Sequence, residues 1–297
     1  MRVPITAILI AIFVHVLWGA NPVAVKMGLE IFPPFWSGFV RFGIGITCIA
    51  LWARFKGVPL WPKNHEWLPL IPLSILFFVQ ISVMNIGFGM SSGAVGSIIT
   101  STYPMFAAVT AHFMLKDDRL STMKSLGLIV AFFGVSVVIT RDIDFSAMRW
   151  LGLGSVVVLC HAAMLGFRMI YSAKLVRQID PVRVMSWQMI LSLPAFALSG
   201  AVVETIAWQN MAWQPVAALL YQGIVIAGFG FMINAILMQK YSPTLMLSFG
   251  FVSPISGVML SLWLLGETLS WQVVVGMLLV AFGLYVIAKG KNGGVRI

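Results

Sequence analysis

The sequence predicts an all-α integral membrane protein, with ten transmembrane helices forming two inverted five-helix repeats around a central cavity. Three observations carry that prediction. Hydrophobic residues make up 60% of the 297 positions and charged residues 9%, and mean hydropathy is +0.98, which lies outside the soluble globular range. Ten mostly apolar stretches are each long enough, at about 20 residues, to cross a hydrocarbon core about 30 Å thick. The chain also repeats itself at an offset of about 149 residues. A closed β-barrel would satisfy its backbone in lipid too, but barrel strands alternate apolar and polar residues, whereas runs such as Leu126–Ile139 are apolar on all sides.

The first span, 4–25, begins after Arg2 and so imitates a signal peptide. Removing it would leave four spans against five and destroy the repeat. The second, 34–53, opens on Pro33-Pro34 and contains Arg41; the third is 67–89. Pro104 stands mid-way in the fourth, 93–115, and glycines punctuate the fifth, 122–140. Spans 150–171, 182–203, 214–238, 243–265 and 271–289 follow in the same order, with Pro254 in the place of Pro104. Asn85 matches Asn234, Leu120-Ser121 matches Leu269-Ser270, Gly127 matches Gly276, and Phe133-Gly134 matches Phe282-Gly283. At a slightly smaller offset, Gly19 matches Gly166 and Pro34 matches Pro181. The repeats are placed at 1–145 and 146–297. Five is an odd number of crossings, so the second copy enters the membrane in the opposite sense, the common architecture of secondary transporters.

A formal charge of +10 raises nucleic acid as a partner, but its placement excludes that role. With the N-terminus inside, one face collects Arg2, Arg54, Lys56, Lys63, Lys116, Arg119, Lys124, Lys174, Arg177, Arg183, Lys240, Lys289, Lys291 and Arg296. The other face holds Lys26, Arg141 and Arg149. This bias places both termini in the cytoplasm and the chain in the cytoplasmic (inner) membrane as a multi-pass protein. Cys48 and Cys160 both fall within spans, so no disulfide framework is implied. No cluster at metal-ligand spacing appears, and no cofactor is implied.

The motifs Trp18-Gly19-Ala20-Asn21-Pro22-Val23-Ala24-Val25-Lys26, Pro33-Pro34 with Arg41-Phe42, Tyr103-Pro104, and Pro254 with Leu265-Gly266-Glu267-Thr268-Leu269 resemble the EamA-type transporters of the drug/metabolite transporter superfamily. The resemblance covers essentially the whole chain. It implies a ten-helix inverted-repeat carrier with a central cavity, of a kind often exporting metabolites, amino acids or drug-like molecules. Two positions depart from the pattern. Lys116-Asp117-Asp118 stands where a Gly-Glu pair is expected, and Gln188 stands where the first half has Arg41.

A charge near the bilayer centre costs about 2.5–3.5 kcal/mol on insertion scales, so it needs a reason to be there. Arg41 lies about two turns into its span and shares a face with Ser37 and Gly45, which would leave room beside the guanidinium. Two readings stand: a fixed cation for a carboxylate or phosphate on the substrate, or a structural pair with Glu30, Glu204 or Glu267. Arg168 is placed near a cytoplasmic helix end, where snorkelling satisfies it. His15 and His161 sit at matching depths, as candidates for proton coupling or as hydrogen-bonded packing residues. His15, Trp18, Asn21 and Pro22 form one stripe that suits a cavity wall. Alternatively, Trp18 belongs to the interfacial belt and Asn21 bonds a neighbouring helix. Ser97, Thr100, Ser101 and Pro104 form another stripe beside Tyr103. Asn85 and Asn234 are expected at opposite mouths of the pathway. Pro22, Pro104 and Pro254 are candidate hinges, because proline frees a carbonyl one turn back. The Gly127/Gly134 and Gly276/Gly283 pairs read as packing surfaces. None of the nine acids lies deep in a span.

The sequence therefore predicts a secondary transporter, in the export direction, for a small organic metabolite, amino acid or drug-like molecule, working by alternating access. The alternative is a membrane-embedded enzyme acting on a lipid or amphipathic substrate. No His-Glu-x-x-His, Gly-x-Ser-x-Gly or paired intramembrane aspartates appear for it, and no phosphate loop for ATP hydrolysis. The partners implied are the lipid bilayer and a small-molecule substrate.

Overall fold

The computed structural model describes residues 3–116, 118–140 and 152–289. Arg2, Asp117, Arg141, Arg149, Lys291, Arg296 and the 145/146 repeat boundary lie outside the described residues. Among those described, ten helices are long and apolar enough to cross a membrane: α1 Ile5–Gly28, α2 Pro34–Lys56, α3 Asn64–Met90, α4 Gly93–Met114, α5 Thr122–Ile139, α6 Gly152–Val176, α7 Pro181–Val203, α8 Trp213–Lys240, α9 Pro243–Leu265 and α10 Trp271–Lys289. No strand forms among them.

Local chemistry sets the ends. Pro34 and Pro181 occupy the first turns of α2 and α7, where the missing N–H costs nothing. Ser92 and Ser242 cap α4 and α9 by accepting from Val95 N and Leu245 N. Gly57 and Gly266 close α2 and α9 at φ 66° and 63°, a conformation that costs a side-chain-bearing residue more than glycine.

Three spans are interrupted. In α4 the helix stops at Thr100 and restarts at Tyr103-Pro104. In α9 it tightens over Phe249–Val252 before Ser253-Pro254. In α7 it breaks at Leu191-Ser192 before Pro194. The first two coincide with the prolines predicted as hinges; the third was not anticipated. Nor was a run of wide turns at Tyr221–Gly230 in α8, a geometry frequent at functional sites.

The pairings are regular. Helix α1 packs on α8 and α9, and α6 packs on α3 and α4. Helices α2 with α7, α4 with α9, and α5 with α10 also pair. Each of these three pairs runs antiparallel. Gly38 abuts Phe196 while Trp36 abuts Gly200, Gly93 abuts Leu265 while Ser97 abuts Gly257, and Gly127 meets Gly283 while Gly134 meets Gly276. A Cβ on Gly134 would lie 2.9 Å from the Gly276 oxygen, so these glycines bring backbones together. Lipid offers no hydrophobic drive between helices, which leaves close packing as a main source of association.

Two acids tie the α4–α9 pair at its two ends. Asp118, which follows α4, accepts from Thr244 N at the start of α9 and is paired with Lys124 at 2.7 Å. Glu267, which follows α9, accepts from Gly93 N (2.6 Å) and Ala94 N (3.0 Å) at the start of α4. Asp118 thus does for α9 what Glu267 of the Gly266-Glu267 pair does for α4.

Candidate functional site

Helices α1, α2, α3, α4, α6, α8 and α9 surround a cavity with about 550 Å³ of space, its open mouth included. Glycines let the walls close. A Cβ on Gly166 of α6 would lie 2.6 Å from the Tyr103 carbonyl oxygen at the α4 break, and Gly19 of α1 abuts Ser253 at the α9 break. Trp18, Asn21 and Pro22 line the cavity from α1, Arg41 from α2, Tyr103 from α4 and His161 from α6. Ser97, Thr100 and Ser101 join them on the α4 wall. A larger groove of about 1,000 Å³ between α1, α8 and α9 is lined mostly by apolar side chains and carries no charged group, so it offers nothing to orient a polar molecule.

Arg168 is a correction. It does not snorkel: α6 continues to Val176, and the side chain is 1% exposed on the cavity wall. Its Nε donates to Gln80 Oε1 at 2.8 Å and its Nη1 to Gln188 Oε1 at 2.9 Å. The guanidinium also sits 4.9 Å from the Phe77 ring centre and 5.5 Å from that of Phe231. Because arginine only donates, Gln80 must turn its oxygen to Arg168 and its amide nitrogen to His161 Nδ1, 2.8 Å away. That contact outweighs a 3.4 Å approach of Nδ1 to the Gln80 carbonyl. The His161 proton is therefore assigned to Nε2, which has no partner among the described residues.

Arg41 is 2% exposed, and its Nε and Nη1 likewise have no partner. Its guanidinium lies 5.0 Å from the Phe42 ring centre. The expected structural pairings are not made. Glu204 accepts from Phe35 N and Trp36 N at the start of α2, Glu267 is held at α4, and Glu30 is exposed. Glu66 pairs with Arg183 at 2.8 Å, and Asp180 caps α7 through Val182 N. Among the described residues no carboxylate lines the cavity. Gly45 leaves no room beside Arg41 either: it admits Ala227 of α8, and a Cβ there would approach Ala227 to 2.8 Å.

His15 sits behind the wall. Its Nδ1 faces the Ala11 carbonyl at 2.7 Å, so it donates, and Nε2 accepts from Tyr103 Oη at 2.9 Å. Trp18 packs edge-on against Tyr103 and Phe231, with centroids 6.2 and 5.9 Å away. With Arg168 and Met169, Trp18 and Phe231 also border a second, smaller space of about 210 Å³ that contains Asn234. Asn85, expected at a mouth, instead donates to the Pro34 carbonyl at 2.7 Å and lines neither space. Sequence reasoning missed Gln80 and Phe231, and its one signal for Gln188 was the position matching Arg41.

A model of the EamA-like transporter family matches residues 5–140 and again 152–289. The chain is 25% identical over 299 residues to a "Probable amino-acid metabolite efflux pump" of Salmonella typhimurium, covering 95% of this chain and 94% of that protein. It is 24% identical to the "Uncharacterized transporter YoaV" of Bacillus subtilis, covering 92% and 94%. A solved crystal structure superposes with a TM-score of 0.75 at 17% identity, covering 96% of this chain and 97% of that one.

Proposed function

The chain belongs to the EamA-like transporter family, and from that premise we propose that it is a secondary carrier exporting a small organic anion through the cavity that holds Arg41. Transporter relatives and ten apolar helices support a multi-pass membrane transport protein over an enzyme. One observation carries the finer reading: a buried arginine with unpartnered N–H groups faces a cavity that holds no acid among the described residues. A fixed cation in lipid has a cost that a cargo carboxylate offsets. The efflux role named for the Salmonella relative supports the outward direction.

The mechanism proposed is alternating access between two inverted halves, 1–145 and 146–297, with both termini cytoplasmic. Two family matches, three antiparallel pairings and the reciprocal acid ties support it. Breaks at Pro104 and Pro254 adjoin the cavity and let the ends of α4 and α9 tilt without unmaking a continuous helix. Pro22 leaves the Trp18 carbonyl without its helical partner one turn back, loosening α1 beside the cavity. Neither His15 nor His161 faces a carboxylate, so their contribution here is hydrogen bonding.

Counterflow in proteoliposomes tests the proposal. Saturable uptake of labelled organic anions, stimulated by unlabelled anion inside, is expected; uptake indistinguishable from empty liposomes for every pool refutes it.

A further inference from the structure

The donors and acceptors around the cavity are unequal, and the imbalance describes a ligand more closely than the carrier reading does. The partnerless buried atoms include four donor groups on the wall: Arg41 through Nε and Nη1, Arg168 through Nη2, His161 through Nε2, and Trp18 through Nε1. Facing them are one dedicated acceptor, Asn21 Oδ1, and the Thr100 hydroxyl, which serves either way. The two arginines enter from α2 and α6 and rest on different rings, Arg41 on Phe42 and Arg168 on Phe77. Those rings touch, with centroids 4.6 Å apart, so both guanidinium groups charge one cavity and a cargo that balances them brings two negative charges. Gln80 and Gln188 orient Arg168 through amide oxygens without cancelling its charge.

We infer that the cavity selects a compact organic anion with two separate acidic groups and disfavours cargo bearing an ammonium; the inference rests on the carrier reading above. One carboxylate would neutralise one arginine and leave the other, a buried side chain, uncompensated. A second acidic group matches the second guanidinium, whose planar fork suits carboxylate or phosphate oxygens. An ammonium would bring a third positive charge to a wall without a carboxylate. By this argument the cargo carries no free ammonium and so differs from an unmodified amino acid.

The test uses the purified full chain in proteoliposomes with labelled succinate, challenged by succinamate, which replaces one carboxylate by an amide of the same shape, and by serine. In the wild type, succinate is expected to compete about tenfold or more better than succinamate, the scale of one charge-assisted hydrogen-bonded contact; serine is expected not to compete. Phosphoglycolate competing in place of succinate also meets the proposal and assigns a phosphate to one arginine. In Arg168→Gln the preference for succinate over succinamate should collapse to near parity, while Arg168→Lys retains part of it. The wild-type comparison stands on its own if the glutamine variant does not fold. Succinamate or serine carried as well as succinate overturns the two-acid site and leaves the carrier standing. Absence of saturable flux for every anion overturns both.

Discussion

At Arg41 the charge and the shape of the side chain make separable contributions. Lysine keeps the charge but loses the planar fork, so Arg41→Lys should retain part of the transport, whereas Arg41→Ala should lose most of it while still inserting; initial rates at matched expression decide, and equal rates in all three proteins would remove Arg41 from the site. This residue was legible in the sequence because a charge in an apolar run is conspicuous. Arg168 was equally visible but misplaced, because ending its span at 171 set it near water, whereas the helix runs to Val176. Its burial depends on amide oxygens from α3 and α7, and nothing in a linear sequence says which neighbours will supply them. Gln80 escaped notice because a neutral amide inside an apolar run raises no electrostatic alarm, although it orients both Arg168 and His161.

For the helices, apolar length placed the ten spans to within a few residues, since lipid thickness fixes that length directly. The wide turns of α8 were not legible: they answer to the packing of Gly223 against Ile44 and Gly228 against Cys48, which are tertiary facts. The glycine crossings carry a prediction. A Cβ on Gly276 would overlap Val138 and approach the Gly134 oxygen to 2.8 Å, so Gly276→Leu should separate α5 from α10 and lower the yield of monodisperse protein on size exclusion. The acid at α4 carries another. Burial raises the Glu267 carboxyl, but hydrogen bonds from Ser261, Ala94 and Gly93, with the charge of Lys26, outweigh it and hold the group below its usual value. A depressed carboxyl stabilises the fold above its unfolded value, about 4.3, and loses that contribution as pH falls through the folded value. Glu267→Gln should therefore melt below the wild type at pH 7, with the gap narrowing under acid; a gap independent of pH would mean that the charge is immaterial.

Across the whole molecule, the proposed doubly charged cargo would tie transport to the membrane potential. Moving one charge through 100 mV is worth about 2.3 kcal/mol, so a cargo carrying two negative charges gains about twice that, equivalent to more than about a thousandfold in accumulation. A cell interior that is negative would thus drive export without a proton or sodium ion. In proteoliposomes, an inside-positive potassium diffusion potential should accelerate succinate uptake and an inside-negative one should slow it. Identical rates under both would show that a compensating ion travels with the cargo.

The two acid ties lead further. Asp118 holds the beginning of α9 and Glu267 holds the beginning of α4, so each half completes a helix that belongs to the other. Cut between its halves, the chain would give two fragments, each with a helix start lacking its acid and a glycine face lacking its match. Such fragments have reason to find one another. Co-expressed as separate polypeptides, 1–145 and 146–297 should co-purify, whereas either alone should be degraded.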